Sequence, residues 1–83
     1  MNTDAFHKAY SHLATNLSRS PVVEVTFLDG SRESGFVVGM IHMCGFALER
    51  RNVRRDEDGR VEVDLAQVFE LKVTMPGEPV ETF

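Results

Sequence analysis

The chain has 83 residues, a formal net charge of −4, one cysteine and no tryptophan. That length supports one small domain with a thin core, which partner subunits would help to stabilise. The acidic balance excludes a domain drawn to nucleic acid by overall charge, and lone Cys44 excludes an intrachain disulfide or a cysteine-built zinc centre.

Residues 3–18 predict an amphipathic helix. Phe6, Ala9, Tyr10, Leu13, Ala14 and Leu17 recur at spacings of three and four, which makes one apolar stripe. Thr3 is placed to cap its start and Asp4 to meet the positive end of its dipole. Pro21 ends it by moving Ser20 out of the helical region. His7 and His12 are five apart, roughly 140° around the axis, so they cannot chelate one ion together. A helix with one apolar face must lie on something.

Five strands are expected after it. Val23, Val25 and Phe27 alternate with Glu24, Thr26 and Leu28. Asp29 and Gly30 read as a hairpin turn, because glycine takes a positive φ cheaply. The second strand, about 32–42, holds Gly35 and Gly39, read as points of sharp bending or close backbone approach. Phe46, Ala47 and Leu48 carry the third. A charged hairpin with a second turn at Asp58 and Gly59 leads to a fourth at about 60–64. "DLAQ" reads as a short turn of 3-10 type. "VFELKVT" is the fifth, with Val68, Glu70 and Lys72 on one face and Phe69, Leu71 and Val73 on the other. Pro76 and Pro79 close the sheet ahead of a loose tail. The expected architecture is mainly β: a helix in 1–20, a strongly bent five-stranded antiparallel barrel in 21–75, and a flexible tail in 76–83.

"V-x-V-x-F-L-D-G-x-x-x-x-G-x-V-x-G" after the helix, then "V-D-L-A-Q-V-F-E-L-K-V", resembles the Sm-like family, including its bacterial Hfq branch. The likeness spans about residues 3–74 and rests on Val23, Val25, Leu28, Asp29, Gly30, Gly35, Val37, Gly39 and Leu48, with Val63 and Val68 matching more loosely. The acidic regulators of the Rof type, which inhibit the termination factor Rho, share a similar plan. The Sm-like resemblance implies a ring in which the fourth strand of one subunit joins the fifth of the next. It places Val61, Val63, Phe69, Leu71 and Val73 at the subunit interface and uridine-rich RNA in the pore. The polar pocket of the family is replaced, however. Aligned on Gly39, its Asp and Asn positions are Ile41 and Gly45 here. Its second motif falls near Asp64 and Leu65, and the Lys-His pair of the Hfq branch is missing.

Arg50, Arg51, Arg54 and Arg55 fall within six residues. Arginine pairs with phosphate and stacks on bases, so this run is the expected RNA contact. The bland reading is a solvated hairpin, with the arginines paired to Glu49, Asp56, Glu57 and Asp58. His42 lies close to where relatives stack an aromatic group on a base. His42 and Cys44 share a strand face and are competent ligands, but two do not make a metal site. Ser31 and Ser34 sit at a turn, where serine is common for local bonding.

No nucleophile–base constellation and no phosphate loop is present, so no enzyme and no cofactor are expected. No apolar run approaches the roughly 20 residues of a membrane helix, and the first residues carry Asp4 and lack the apolar core of a secretory signal. Cytoplasmic location follows as an expectation. The expected partners are further copies of the chain and RNA. Two alternatives stand beside them. One is an acidic regulator that binds a basic RNA-processing protein, and the other is a structural oligomer with no nucleic-acid ligand.

Overall fold

The structure is a computed structural model that describes residues 2–41, 45–50 and 59–83. Helix α1 spans Thr3–Thr15. Its cap is Asn2, whose side-chain oxygen accepts from the Ala5 amide at 2.8 Å. Thr3 is already the first helical residue, which is why it does not serve as the cap expected of it. Ala9 and Leu13 are fully buried, and Phe6, Tyr10 and Leu17 pack against the core. Ala14 is exposed: it lies about 100° around the axis from Leu13, beyond the edge of the stripe. The helix tightens into a 3-10 turn at Leu17–Arg19. Ser20 then takes a left-handed conformation at φ 52°, and buried Pro21 leads into the sheet.

The strands are β1 (Val22–Phe27), β2 (Arg32–Ile41), β3 (Gly45–Arg50), β4 (Arg60–Asp64), β5 (Val68–Thr74) and β6 (Glu81–Thr82). A 3-10 turn at Leu65–Gln67 joins β4 to β5. All pairings are antiparallel, in the order β4-β3-β2-β1-β5-β6. This corrects the five-stranded barrel: among the described residues the sheet has six strands and is open. Residues 81–82, in the segment expected as a tail, form the sixth strand on the outer edge of β5. β4 pairs with β3 and not with β5, and the Leu65–Gln67 turn folds against β3 instead of carrying β4 alongside β5.

Helix α1 lies against β2. The core between helix and sheet holds Leu13, Val23, Val25, Phe46, Leu48 and Leu71, all fully buried. The β1–β2 hairpin turns through residues 28–30: Phe27 donates to Ser31 at 2.9 Å and Gly30 to Phe27 at 3.0 Å. Gly30 has φ +87°, the positive value that closes a three-residue hairpin loop.

At two glycines the neighbouring backbone comes too close for a side chain. A side chain on Gly35 would overlap the Glu49 carbonyl oxygen, and one on Gly45 would overlap the Val63 carbonyl oxygen. Gly39, expected to share the role of Gly35, has open space where its side chain would be. The register between β2 and β3 shifts between Val37 and Gly39, so the second glycine does not repeat the environment of the first.

In β5 the expected alternation is displaced. Thr26 pairs with Glu70 but Phe27 pairs with Val68, so Phe69 is the extra residue of a bulge. Val68 enters the core and Phe69 is 66% exposed, the reverse of the faces expected for them.

Candidate functional site

Arg50 ends β3. Its guanidinium grips Glu33 with two parallel bonds, Nε to Oε2 at 3.0 Å and Nη2 to Oε1 at 2.7 Å. The sheet register makes this possible: Arg50 pairs with Gly35, two residues along β2 from Glu33. Both side chains keep contact with water, so the pair contributes roughly 0–1 kcal/mol. The Arg50 amide donates to the Gly59 carbonyl at 2.9 Å, which holds together the two ends of the arginine-rich connection. Arg51, Arg54, Arg55 and His42 lie outside the described residues, as do Cys44 and Asp58.

Arg50 and Glu33 also line a groove of about 1220 Å³ across the sheet, together with Arg32, Lys72 and Glu24. Lys72, Glu24 and Ser34 stand in one cross-strand row. Lys72 Nζ is 3.9 Å from Glu70 Oε1. The groove therefore alternates cations with carboxylates, and it is not a concentrated anion pocket. Sequence reasoning passed over Arg32 and Lys72. The turn at Gly30 sets Arg32 opposite Thr26, a register that the sequence signals. Lys72 beside Glu24 depends on the β1–β5 pairing, for which no local signal exists.

The residues expected at a subunit interface divide into two groups. Val63, Leu71 and Val73 are buried in the core of their own chain, so at an edge they offer backbone and not side chain. Phe69 is exposed and Val61 is half-buried.

A second hollow, about 390 Å³, is lined by Phe27, Leu28, Asp29, Glu62, Asp64 and neighbours, with no basic residue among them. Leu28 is 58% exposed beside it. Asp64 accepts from the Ala66 amide at 2.9 Å, which caps the 3-10 turn. Asp29 accepts from the Ser31 hydroxyl at 2.6 Å and from its amide at 2.9 Å. The hydroxyl bond first, and then the amide bond, hold the Asp29 carboxyl below its ordinary value of 3.8. A lowered carboxyl adds stability that is present above the unfolded value and lost as pH falls through the folded one. The advantage of wild type over Asp29→Ala in thermal melts should therefore be full at neutral pH. It should shrink as pH drops below 3.8. A constant gap down to strong acid would show that the carboxylate bonds contribute nothing.

Among the described residues, no group of three or more His, Cys, Asp or Glu side chains could hold a metal ion. No helix among them is long and apolar enough to cross a membrane. Neither protein-family models nor curated proteins nor solved structures contain a match to this chain.

Proposed function

We propose that the chain is a non-enzymatic cytoplasmic binding module of the Sm-like type, which self-associates through its strand edges and contacts RNA through the arginine-rich β3–β4 connection. The strand order carries this reading. It sets β4 at one margin of the sheet and β5 next to the other margin, covered there by the two-residue β6, so a head-to-tail ring of the Sm-like kind forms once β6 gives way. The arginine-rich connection runs between β3 and β4, and its two ends are joined by the bond from the Arg50 amide to the Gly59 carbonyl. With the family's polar pocket replaced by Ile41 and Gly45, contact falls to guanidinium and phosphate. Such contact positions RNA without reading its sequence.

Titration of labelled single-stranded RNA over a range of salt tests this. With Arg50 held by Glu33, Arg51, Arg54 and Arg55 on phosphates predict a log–log salt slope of about −2 for single strands. Arg51→Glu with Arg54→Glu should weaken binding at least tenfold on uridine-rich and mixed sequences alike, and His42→Ala should change it little. A uridine-selective complex that survives the arginine changes and is lost with His42→Ala would overturn the arginine contact.

A second reading rests on the acidic hollow at Asp29, Glu62 and Asp64 with exposed Leu28 beside it. Carboxylates around an apolar contact suit a basic protein surface, with charge steering the encounter, as in a Rof-type regulator. Salt-sensitive capture of a basic RNA-processing protein, lost with Asp29→Lys and Glu62→Lys, would favour it.

A further inference from the structure

The outer edge of β5 is already occupied. Leu71 and Phe83 exchange both backbone bonds, at 3.1 and 2.8 Å, and Lys72 and Val73 stand opposite Thr82 and Glu81. The chain reaches this edge through a turn at Gly77, φ +78°, in which Glu78 donates to the Met75 carbonyl at 3.1 Å. Each side-chain anchor is light. His12 Nε2 lies 3.5 Å from Glu81 Oε2, and Arg19 Nη1 lies 3.4 Å from Glu78 Oε1. The His12 and Phe83 rings are 5.6 Å apart. Thr82, Glu81 and Val80 are exposed. The cap is therefore a two-residue strand held by its ladder bonds, by the packing of Phe83, and by part-exposed contacts that contribute little: His12 beside Glu81, and Arg19 with Glu78 and with the Pro76 carbonyl at 3.3 Å.

We infer that residues 76–83 are a displaceable cap, and that the strand which replaces it is β4 of a second copy of the chain. This rests on the reading of the protein as a self-associating module. The chemistry of β4 fits the β5 edge. An antiparallel register with Glu62 opposite Lys72 sets Val63 beside Leu71 and Val61 beside Val73, which continues the apolar face of the sheet. Cross-strand pairs of opposite charge and of β-branched residues are the favourable kind. Asp64 opposite Glu70 is the one like-charged pair, and it falls at the end of the contact. β4 has five residues and the cap two, so β4 forms the longer ladder once it reaches the edge. The cap has the advantage of its tether, with Pro76 and Pro79 limiting the freedom lost when it docks. An intramolecular strand wins at low protein concentration and an intermolecular one at high concentration. The tail thus sets the concentration at which the sheet edges join, and it protects a bare edge from indiscriminate pairing.

The test is solution mass by sedimentation at micromolar concentration. The full chain should sediment near its own 9.3 kDa. A chain ending at Met75 should sediment at least twofold heavier. Because the shortened chain loses the packing of Phe83, a second variant keeps that residue. Antiparallel pairs alternate in bonding, so Glu81, two residues from bonded Phe83, also donates to the ladder. Glu81→Pro removes that donor and should likewise raise the mass. In either background Lys72→Glu should return the mass to a single chain, and adding Glu62→Lys should restore the heavier form. If full and capless chains are equally multimeric, the cap does not gate assembly, although the self-associating reading stands. If both remain single chains while folded, the cap inference and the self-association fall together. A heavier form indifferent to Lys72→Glu would place the contact elsewhere and overturn the β4–β5 pairing.

Discussion

Leu13→Asp abolishes the cooperative thermal transition of this domain. Leu13 is fully buried where α1 meets the sheet. Losing a buried leucine and leaving a cavity costs about 2–5 kcal/mol. A carboxylate at the same place adds desolvation, and the core offers it no basic partner, since no polar or charged described residue is buried. A domain this small has roughly 5 kcal/mol of stability in total, so the substitution exceeds what the fold can absorb. Far-ultraviolet circular dichroism on heating is the measurement. Ser11→Asp, on the exposed face of the same helix, should stay within about 1 kcal/mol of wild type. If Leu13→Asp melts as wild type does, the helix is not part of the core.

Gly45→Val is the second large effect. A side chain at Gly45 would overlap the carbonyl oxygen of Val63 on β4. The obstacle is backbone, so no rotamer change removes it, and the β3–β4 ladder must part at that end. A cost of about 3 kcal/mol or more follows, at or above the upper end of overpacking penalties. Gly35→Ala meets the Glu49 carbonyl oxygen in the same way and should also destabilise by several kcal/mol. Gly39→Ala meets nothing and should be neutral, or more stable by up to about 1 kcal/mol through a less flexible unfolded chain. Chemical denaturation of the three variants checks the order. Equal costs at Gly39 and Gly45 would contradict the close backbone approach at Gly45 and the open space at Gly39.

These glycines also show how far the sequence could be read. Helix α1 was legible because its burial follows a 3.6-residue period over several turns, and Ala9 and Leu13 are where that period puts the core. The β1–β2 turn was legible because Asp29 and Gly30 have the chemistry such a loop demands, and β4 was placed at residues 60–64 by the alternation that follows Gly59. Spacing alone made Gly35 and Gly39 look equivalent, because the register shift between them is fixed by β3 and not by β2. Gly45, beside the less regular "IHMC", drew notice only as a replaced pocket position. The bulge at Phe69 was illegible for a similar reason: it arises from pairing with β1, which is distant in sequence. β6 has two residues, too few to show a period, and Pro76 and Pro79 announce a loop.

The candidate site was legible as chemistry and not as geometry. The arginine run was visible, but the bidentate Arg50–Glu33 pair joins residues on two strands, an adjacency that the run itself does not signal; Asp56, Glu57 and Asp58 lie outside the described residues. The acidic hollow brings Asp29 from the first turn to Glu62 and Asp64 on β4, an adjacency that only the fold creates.

Absorbance-coupled light scattering of the full-length chain, mixed at low salt with a short single-stranded RNA, tests the central claim most directly. The chain has one tyrosine and no tryptophan, so bound RNA dominates the absorbance of any complex. The account predicts that RNA and protein elute together in one peak of raised mass, and that added salt separates them. RNA eluting free beside unchanged protein at low salt would contradict it.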